Sequence, residues 1–282
     1  MKTILVPVEP HDGSGRILSL AAQLAGKLDA VVTGFALRRP QIAAIGWDPA
    51  SVAIVTDPEW DDQRSDAEAR AQFERIMTEA GLGTAESVDI PAPKGARFRW
   101  HSDPASGDEF LGSFGRAFDL TVVGQPTARA SGSSITSLEA ALFDSGGPIM
   151  VAPQKPVESF GASVGIVWNG SSETARTIAF SKPLICQASR AIIFADDGGM
   201  GLRPGGEQIQ RRLAENGVDA ELKLLPDGKI RSGEVILAEA NAFGCDMLVK
   251  GAYTQSRLRQ MIFGGATRYL IAESPVPVFM AH

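Results

Sequence analysis

The chain has 282 residues, of which 44% are hydrophobic and 21% charged, and its formal net charge is −6. That length and composition are typical of a globular protein with enough apolar material for two cores. The acidic balance argues against a broad nucleic-acid surface, which would need clustered lysine and arginine. Three scattered histidines exclude a histidine-rich metal site, so we predict no metal ligands.

The N-terminus and the cysteines indicate the compartment. Lys2 precedes a short apolar run that ends at Glu9, far too short for a signal-peptide core or a membrane span. Cys186 and Cys245 both lie among apolar residues, which is typical of reduced, buried thiols. We therefore expect a cytoplasmic protein that does not enter a membrane.

In chain order, the first elements form a β-α-β unit. Residues 4–8 are a β-branched run typical of a strand buried on both faces. Apolar residues at three- and four-residue steps from Ile17 to Leu28 predict an amphipathic helix, and residues 31–37 predict the next strand. After an insertion over 39–59, the pattern predicts a helix over 61–80, a strand over 97–100 and a third helix that opens at Asp103-Pro104.

The pattern of the first half returns 160 residues later. Corresponding segments are residues 4–8 and 164–168, 119–124 and 246–251, and 148–152 and 277–281. An internal duplication is the economical explanation. We predict one domain over 1–153 and another over 160–282, joined by a proline-containing linker; in the second copy, helices are expected over 204–216 and 232–243 and a strand over 218–225.

Each copy offers five strands in alternation with four helices, the pattern of an open, doubly wound sheet. The predicted fold class is α/β, with two tandem doubly wound five-stranded parallel-sheet domains related by a pseudo-twofold axis. The last strand of each copy is apolar and would lie at a sheet edge, where unpaired backbone groups invite another strand. We expect these two edges to pair within the chain, and a homodimer of the whole chain stays open.

A glycine-containing connection from strand to helix stands out in the second copy. Glycines there let backbone N–H groups approach an anion, and a helix N-terminus favours negative charge. Counted from Gly251 as zero, Thr254 falls at three, Gly264 at thirteen, Gly265 at fourteen and Thr267 at sixteen. This spacing resembles the universal stress protein family, whose nucleotide-binding members carry G-x-x-G, nine residues and G-[S/T]. Here Thr254 replaces the second glycine, and Gly265 replaces the serine or threonine.

The resemblance covers both copies and implies an adenine nucleotide alpha hydrolase-like fold. It implies a tandem universal stress protein, a noncatalytic stress-response factor with an ATP or other adenine-nucleotide site in the second copy, with Mg²⁺. In such relatives strand one contacts the nucleoside, strand two reads the adenine, and the glycine loop holds the phosphates. The candidate ligand-binding residues are Val167, Asn169, Ala195, Asp196, Gly251, Thr254, Gly264, Gly265, Ala266 and Thr267.

Several of these residues also have plain structural interpretations. Asn169 and the two residues after it form a turn and a helix cap in their own right. Asp196 with Asp197 is either an acidic metal-binding pair or, as we favour, a solvated strand end. Lys250 interrupts an apolar strand at its mouth, and because lysine is mostly exposed we expect it to be solvated there rather than to meet a phosphate.

The first copy keeps fewer of the residues that a phosphate-binding site would need. It keeps Gly124 but has Thr127 at the second glycine position and no glycine pair before Leu138, and Glu9 stands at the family's aspartate position. We therefore expect it to act as scaffold and partner surface. No catalytic motif is present, and we predict no catalytic residues. Two alternatives remain open: a slow nucleotide hydrolase on the same fold and a ligand-free protein-interaction module.

Overall fold

A computed structural model describes residues 1–9, 13–38, 43–45, 53–55, 62–85, 94–102, 107–126, 135–197, 204–226, 228–252 and 265–282. The elements of the first half are β1 (Thr3–Val8), α1 (Ser14–Leu28), β2 (Val31–Ala36), β3 (Ala43–Ile45), β4 (Ala53–Val55), α2 (Asp62–Glu79), β5 (Gly83–Thr84), β6 (Arg97–Trp100), α3 (Asp108–Gly115), β7 (Leu120–Gly124), α4 (Ile135–Glu139), a π-helical turn (Ala140–Asp144) and β8 (Ile149–Ala152).

The second half contains fewer described elements. They are β9 (Ser163–Val167), α5 (Ser172–Ile185), β10 (Arg190–Asp196), α6 (Gly206–Ala214), β11 (Ala220–Leu225), a 3₁₀ turn (Lys229–Arg231), α7 (Gly233–Phe243), β12 (Met247–Gly251), α8 (Gly265–Glu273) and β13 (Val278–Ala281). The described residues include no helix that is long and apolar enough to cross a membrane.

Eleven strands form one sheet in the order β11-β10-β9-β12-β13-β8-β7-β1-β2-β6-β5. Within each half the strands are parallel and the order reverses at the first strand, β9 or β1, as in a doubly wound fold. The halves meet where β13 pairs antiparallel with β8. The predicted α/β class with a mostly parallel sheet is confirmed. Two short additions, the edge strand β5 and the β3–β4 hairpin, distinguish the first half.

Helices cover both faces of the sheet, and each face has its own apolar core. One core packs against α1, α2, α5 and α6 through residues such as Leu24, Phe73 and Ile178. The other packs against α3, α4, α7 and α8 through residues such as Leu111 and Leu270. Because successive side chains of a strand point to opposite faces, the buried strands read as continuous apolar runs, as the sequence predicted.

Two predicted boundaries are corrected by the structure. The third helix begins at Asp108, not at Asp103-Pro104, because its N-cap residue Gly107 has φ +99°, which is not helical backbone; residues 103–106 lie outside the described part. The strand predicted over 218–225 begins at Ala220. A turn at the end of α6, in which the Val218 N–H donates to the Leu213 carbonyl at 3.0 Å, takes up the intervening residues.

Candidate functional site

The candidate site lies at the carboxyl ends of β9, β10 and β12, where the strand order of the second half reverses. Val167, at the end of β9, is paired with Phe194 on one side and with Lys250 on the other. Doubly wound sheets bind ligands in the crevice beyond such strand ends. The register therefore brings three of the predicted strand ends together.

Asn169 follows β9 and is engaged in the start of α5. Its Oδ1 accepts hydrogen bonds from the Ser171 N–H at 3.2 Å and from the Thr174 hydroxyl at 2.6 Å. Ser171 is the N-cap residue of α5 and accepts from the Thr174 N–H. These contacts support the turn-and-cap interpretation, because they use the amide oxygen that a ligand would otherwise contact.

Gly251 ends β12 directly beneath the first turn of α5. A Cβ atom at this position would lie 2.5 Å from the backbone nitrogen of Thr174 and 2.6 Å from its hydroxyl oxygen. Thr174 is fully buried, so neither group can move aside easily. Close packing of a helix on a strand is therefore sufficient to require this glycine.

Lys250 is buried, so the expectation that it is solvated at the mouth of the crevice is wrong. Only 7% of the residue is exposed, and burial lowers the pKa of its amine to about 8. Its Nζ donates to the Gly251 carbonyl at 3.0 Å and to the Thr267 hydroxyl at 2.8 Å. The reason is positional: β12 lies inside the sheet, so a side chain that faces α8 has no direct route to water.

The described surroundings of the Lys250 amine are apolar and contain no oppositely charged partner. Its neighbours in the register are Val167 of β9 and Met280 of β13, both buried. Among the described residues its hydrogen-bond partners are the two neutral oxygens above. Thr267 is the third residue of α8, so the amine also lies near the positive end of that helix dipole. The arrangement concentrates positive charge without a carboxylate.

Asp196 ends β10 on the other side of β9. Alternation along the strand directs it to the same face as Ile192 and Phe194, which is also the face of Lys250. Its Oδ1 is buried and has no hydrogen-bond partner within the part of the chain that the structure describes. Buried polar atoms are nearly always satisfied, and an exception calls for an explanation such as a ligand.

The other predicted site residues differ in what they can offer. The side chains of Val167 and Ala195 are buried in the cores. Gly265, the first residue of α8, is exposed, and nothing lies within 4 Å of a Cβ built on it. Ala266, in the first turn of α8, is buried. Thr254 and Gly264 lie outside the described residues.

Sequence reasoning missed the Lys250–Thr267 contact and the unsatisfied Asp196 oxygen. The available signal was a lysine in an otherwise apolar strand that is flanked by other strands on both sides. Two grooves lie elsewhere: one of about 780 Å³ separates α1 from α2, and one of about 410 Å³ lies beside Phe118 and Phe180. Within the described ranges, no group of three His, Cys, Asp or Glu side chains is placed to hold a metal ion.

Comparison with known proteins identifies a family signature in the second half. Residues 207–282 match the model of the Universal stress protein family. A 73-residue stretch, 26% of this chain, is 34% identical to the stress response protein NhaX of Bacillus subtilis. That stretch covers 42% of the relative, so the similarity spans less than half of its length.

Solved structures resemble the whole chain. A universal stress protein from Archaeoglobus fulgidus superposes with a TM-score of 0.68 at 14% identity, over 99% of this chain and 97% of that one. A functionally unknown protein from Pseudomonas aeruginosa gives 0.57 at 13% identity, over 100% and 92%. At such low identity these likenesses establish the fold of the chain.

Proposed function

Because residues 207–282 match the model of the Universal stress protein family, we propose that the chain is a member of that family and a noncatalytic, cytoplasmic stress-response factor whose second half binds an adenine nucleotide. The binding site is the crevice at the carboxyl ends of β9, β10 and β12. The first half, through β8, extends the sheet that carries this crevice.

One observation carries the proposal: Lys250 and Asp196 flank the end of β9 on the same sheet face, and neither has its full complement of partners. The amine has no counter-charge among the described residues, and the carboxylate oxygen accepts no hydrogen bond. A nucleotide has the matching polarity, because its phosphates are anionic and its base amine and ribose hydroxyls donate hydrogen bonds. The N-terminus of α8 adds a second favourable end for phosphate.

The noncatalytic part of the proposal rests on the chemistry available at this crevice. A buried ammonium, a carboxylate and a helix N-terminus can hold a charged ligand. Nucleophilic catalysis needs a nucleophile within hydrogen-bond reach of a base that a third group orients. In the described part of the crevice, the Thr174 hydroxyl donates to Asn169, and the Thr267 hydroxyl accepts from a Lys250 amine whose pKa of about 8 keeps it mostly protonated, and so unable to act as a base, at neutral pH.

The cytoplasmic assignment is supported by the thiols. Cys186 and Cys245 are both free, but only Cys245 is buried, so the prediction that Cys186 is buried is wrong. Burial, with a smaller contribution from Asp246, raises the pKa of Cys245 to about 12, which keeps the thiol protonated and unreactive at neutral pH. Free thiols are typical of proteins in a reducing compartment.

Isothermal titration with ATP, ADP and AMP tests the binding site. We expect saturable 1:1 binding to the wild type, and Asp196→Ala to weaken it roughly tenfold, equivalent to about 1.4 kcal/mol for one lost hydrogen-bond acceptor. Asp219→Ala is the matched control, because Asp219 is exposed at the opposite, amino-terminal end of β11. Absence of binding by all three nucleotides would overturn the proposal and favour a ligand-free interaction module.

Phosphate release from ATP with Mg²⁺ tests the noncatalytic assignment. We expect no release above the buffer rate from the wild type. Turnover that disappears in Asp196→Ala but persists in Asp219→Ala would instead establish the nucleotide hydrolase.

A further inference from the structure

We propose that the Lys250 ammonium is the cation that neutralises the ligand's phosphate, so that this crevice binds the phosphate group of a nucleotide without a divalent metal ion. The inference rests on the proposed function and specifies the form of ligand that the site takes. It assigns Lys250 as a binding residue, in addition to those that the sequence pointed to.

The first step is the energetic position of Lys250 without a ligand. An ammonium taken out of water loses hydration, and an unpaired charge in an apolar layer is unfavourable. Two neutral oxygens compensate only part of that loss, and the dipole of α8 opposes the charge further. An anion near the amine would offset the lost hydration of the ammonium, and it would interact favourably with both the ammonium and the N-terminus of α8.

The second step is that neighbouring elements supply no internal carboxylate at this position. Facing the amine, β9 presents Val167, β13 presents Met280 and α8 presents Thr267. The ionisable groups of the surrounding described elements include Asp196 beyond β9, the exposed Arg268, Tyr269 and Glu273 on α8, and His282 after β13, whose ring nitrogen Nδ1 lies 3.2 Å from the Ala252 carbonyl oxygen. Within the described ranges, neither of these carboxylates forms an ion pair with the amine.

The third step concerns the metal. Mg²⁺ that accompanies a nucleotide is held by carboxylate and phosphate oxygens and keeps several waters. Beside a buried ammonium such a dication would be repelled, since two cations at close range in a poorly solvated site interact strongly. The ammonium, with one of its three N–H groups left over after the Gly251 and Thr267 contacts, can donate to a phosphate oxygen directly.

The test is ADP binding measured by titration calorimetry, in EDTA and in MgCl₂, for the wild type, Lys250→Met and Lys182→Met. Lys182 is the control because it is exposed near the end of α5. We expect wild-type affinity in EDTA to equal or exceed that in MgCl₂, Lys250→Met to lose tenfold or more, and Lys182→Met to match the wild type.

Two further readouts separate binding from folding. Wild-type affinity should fall roughly tenfold per pH unit once the pH rises above about 8, because each binding event then requires protonation of the amine; Lys250→Met should not show this slope. Lys250→Met should also have a higher melting temperature than the wild type without ligand and a smaller increase on addition of ADP, which excludes misfolding as the cause of weak binding.

The outcomes distinguish this inference from the function on which it rests. If the wild type binds no nucleotide under any condition, both fail. If it binds ADP only with Mg²⁺, or if Lys250→Met binds as tightly as the wild type, the metal-free lysine site is overturned while nucleotide binding stands.

Discussion

At the scale of single residues, burial separates the side chains that the sequence could assign from those it could not. Residue type alone predicts that a lysine is exposed. The position of Lys250 depends instead on which strands flank β12 and on which helix covers that face, and both are tertiary facts. Gly251 was predicted to let the backbone approach a phosphate, and that stays a prediction; the structure shows that a Cβ atom there would lie 2.5 Å from the backbone nitrogen of Thr174 in α5.

The buried lysine predicts an unusual pH dependence of stability. The pKa of Lys250 is about 8 in the folded protein, below the usual lysine value of 10.5, so the unfolded chain binds this proton more tightly. The free energy of unfolding therefore rises as the pH goes from about 8 towards about 10.5, by about 3 kcal/mol for this group alone.

Urea denaturation of the wild type and Lys250→Met at about pH 7 and about pH 10 measures this contribution. Other groups also titrate in this range, so the prediction concerns the difference between the two proteins. Lys250→Met should be the more stable at the lower pH, and its advantage should shrink at the higher pH. An advantage that does not change with pH would contradict an uncompensated ammonium.

Gly251 and Gly265 offer a matched pair of glycine substitutions. Gly251→Ala should lower the free energy of unfolding by about 1–3 kcal/mol, because its methyl group would overlap the backbone of Thr174. Gly265→Ala should be neutral or stabilising by up to about 1 kcal/mol, because the position is open and alanine favours helix. Chemical denaturation of both variants checks the prediction, and equal effects would show that the close approach at Gly251 is not rigid.

At the scale of elements, the duplication extends to details of hydrogen bonding. Asp119 and Asp246 were matched by sequence, and they immediately precede β7 and β12, respectively. The carboxylate of Asp119 accepts from the backbone N–H groups of Lys2 and Thr3, at 2.5 and 3.1 Å. That of Asp246 accepts from Gly161, Ala162 and Ser163, at 2.8, 3.0 and 3.0 Å. Asp119 thus links the start of β1 to the start of β7, and Asp246 links the start of β9 to the start of β12.

The hydrogen bonds of these two aspartates predict different mutational effects in the two halves. Asp246→Ala should lower the free energy of unfolding by about 2–3 kcal/mol, since three backbone donors lose a charged acceptor. Asp119→Ala should have a smaller effect, because that residue is exposed and its carboxylate accepts from only two backbone N–H groups; the bond from the Asp119 backbone N–H to the Thr3 hydroxyl is kept in the variant. The reverse order in urea denaturation would contradict the structural equivalence.

Secondary structure was predictable to the extent that it is local. The β-branched runs and the three- and four-residue periodicity identified β1, α1, β2, β9 and β12. The start of α3 was not predictable in this way: Asp103-Pro104 carries a genuine helix-start signal, and only the backbone at Gly107 shows that the helix begins later. Likewise, nothing in the local sequence indicates that the side-chain oxygen of Asn169 accepts a hydrogen bond from the Thr174 hydroxyl.

At the scale of the whole molecule, the sheet joins the two halves across β8 and β13, and buried side chains cross the junction. The Gln125 side-chain amide, in the first half, donates to the Ser274 carbonyl of the second at 2.7 Å, in a buried position. The repeat predicted two similar halves, and each contributes the same strand order to the sheet. The domain limits of 1–153 and 160–282 stay predictions, as does the assembly state of the whole chain.

Hydrogen exchange measured by mass spectrometry with and without ADP tests whether the second half alone holds the ligand. We predict that ADP increases protection at the end of β10 and in the first turns of α8, and leaves the equivalent strand ends of β2 and β7 unchanged. Protection confined to the first half, or equal in both halves, would contradict a nucleotide site formed by β9, β10 and β12.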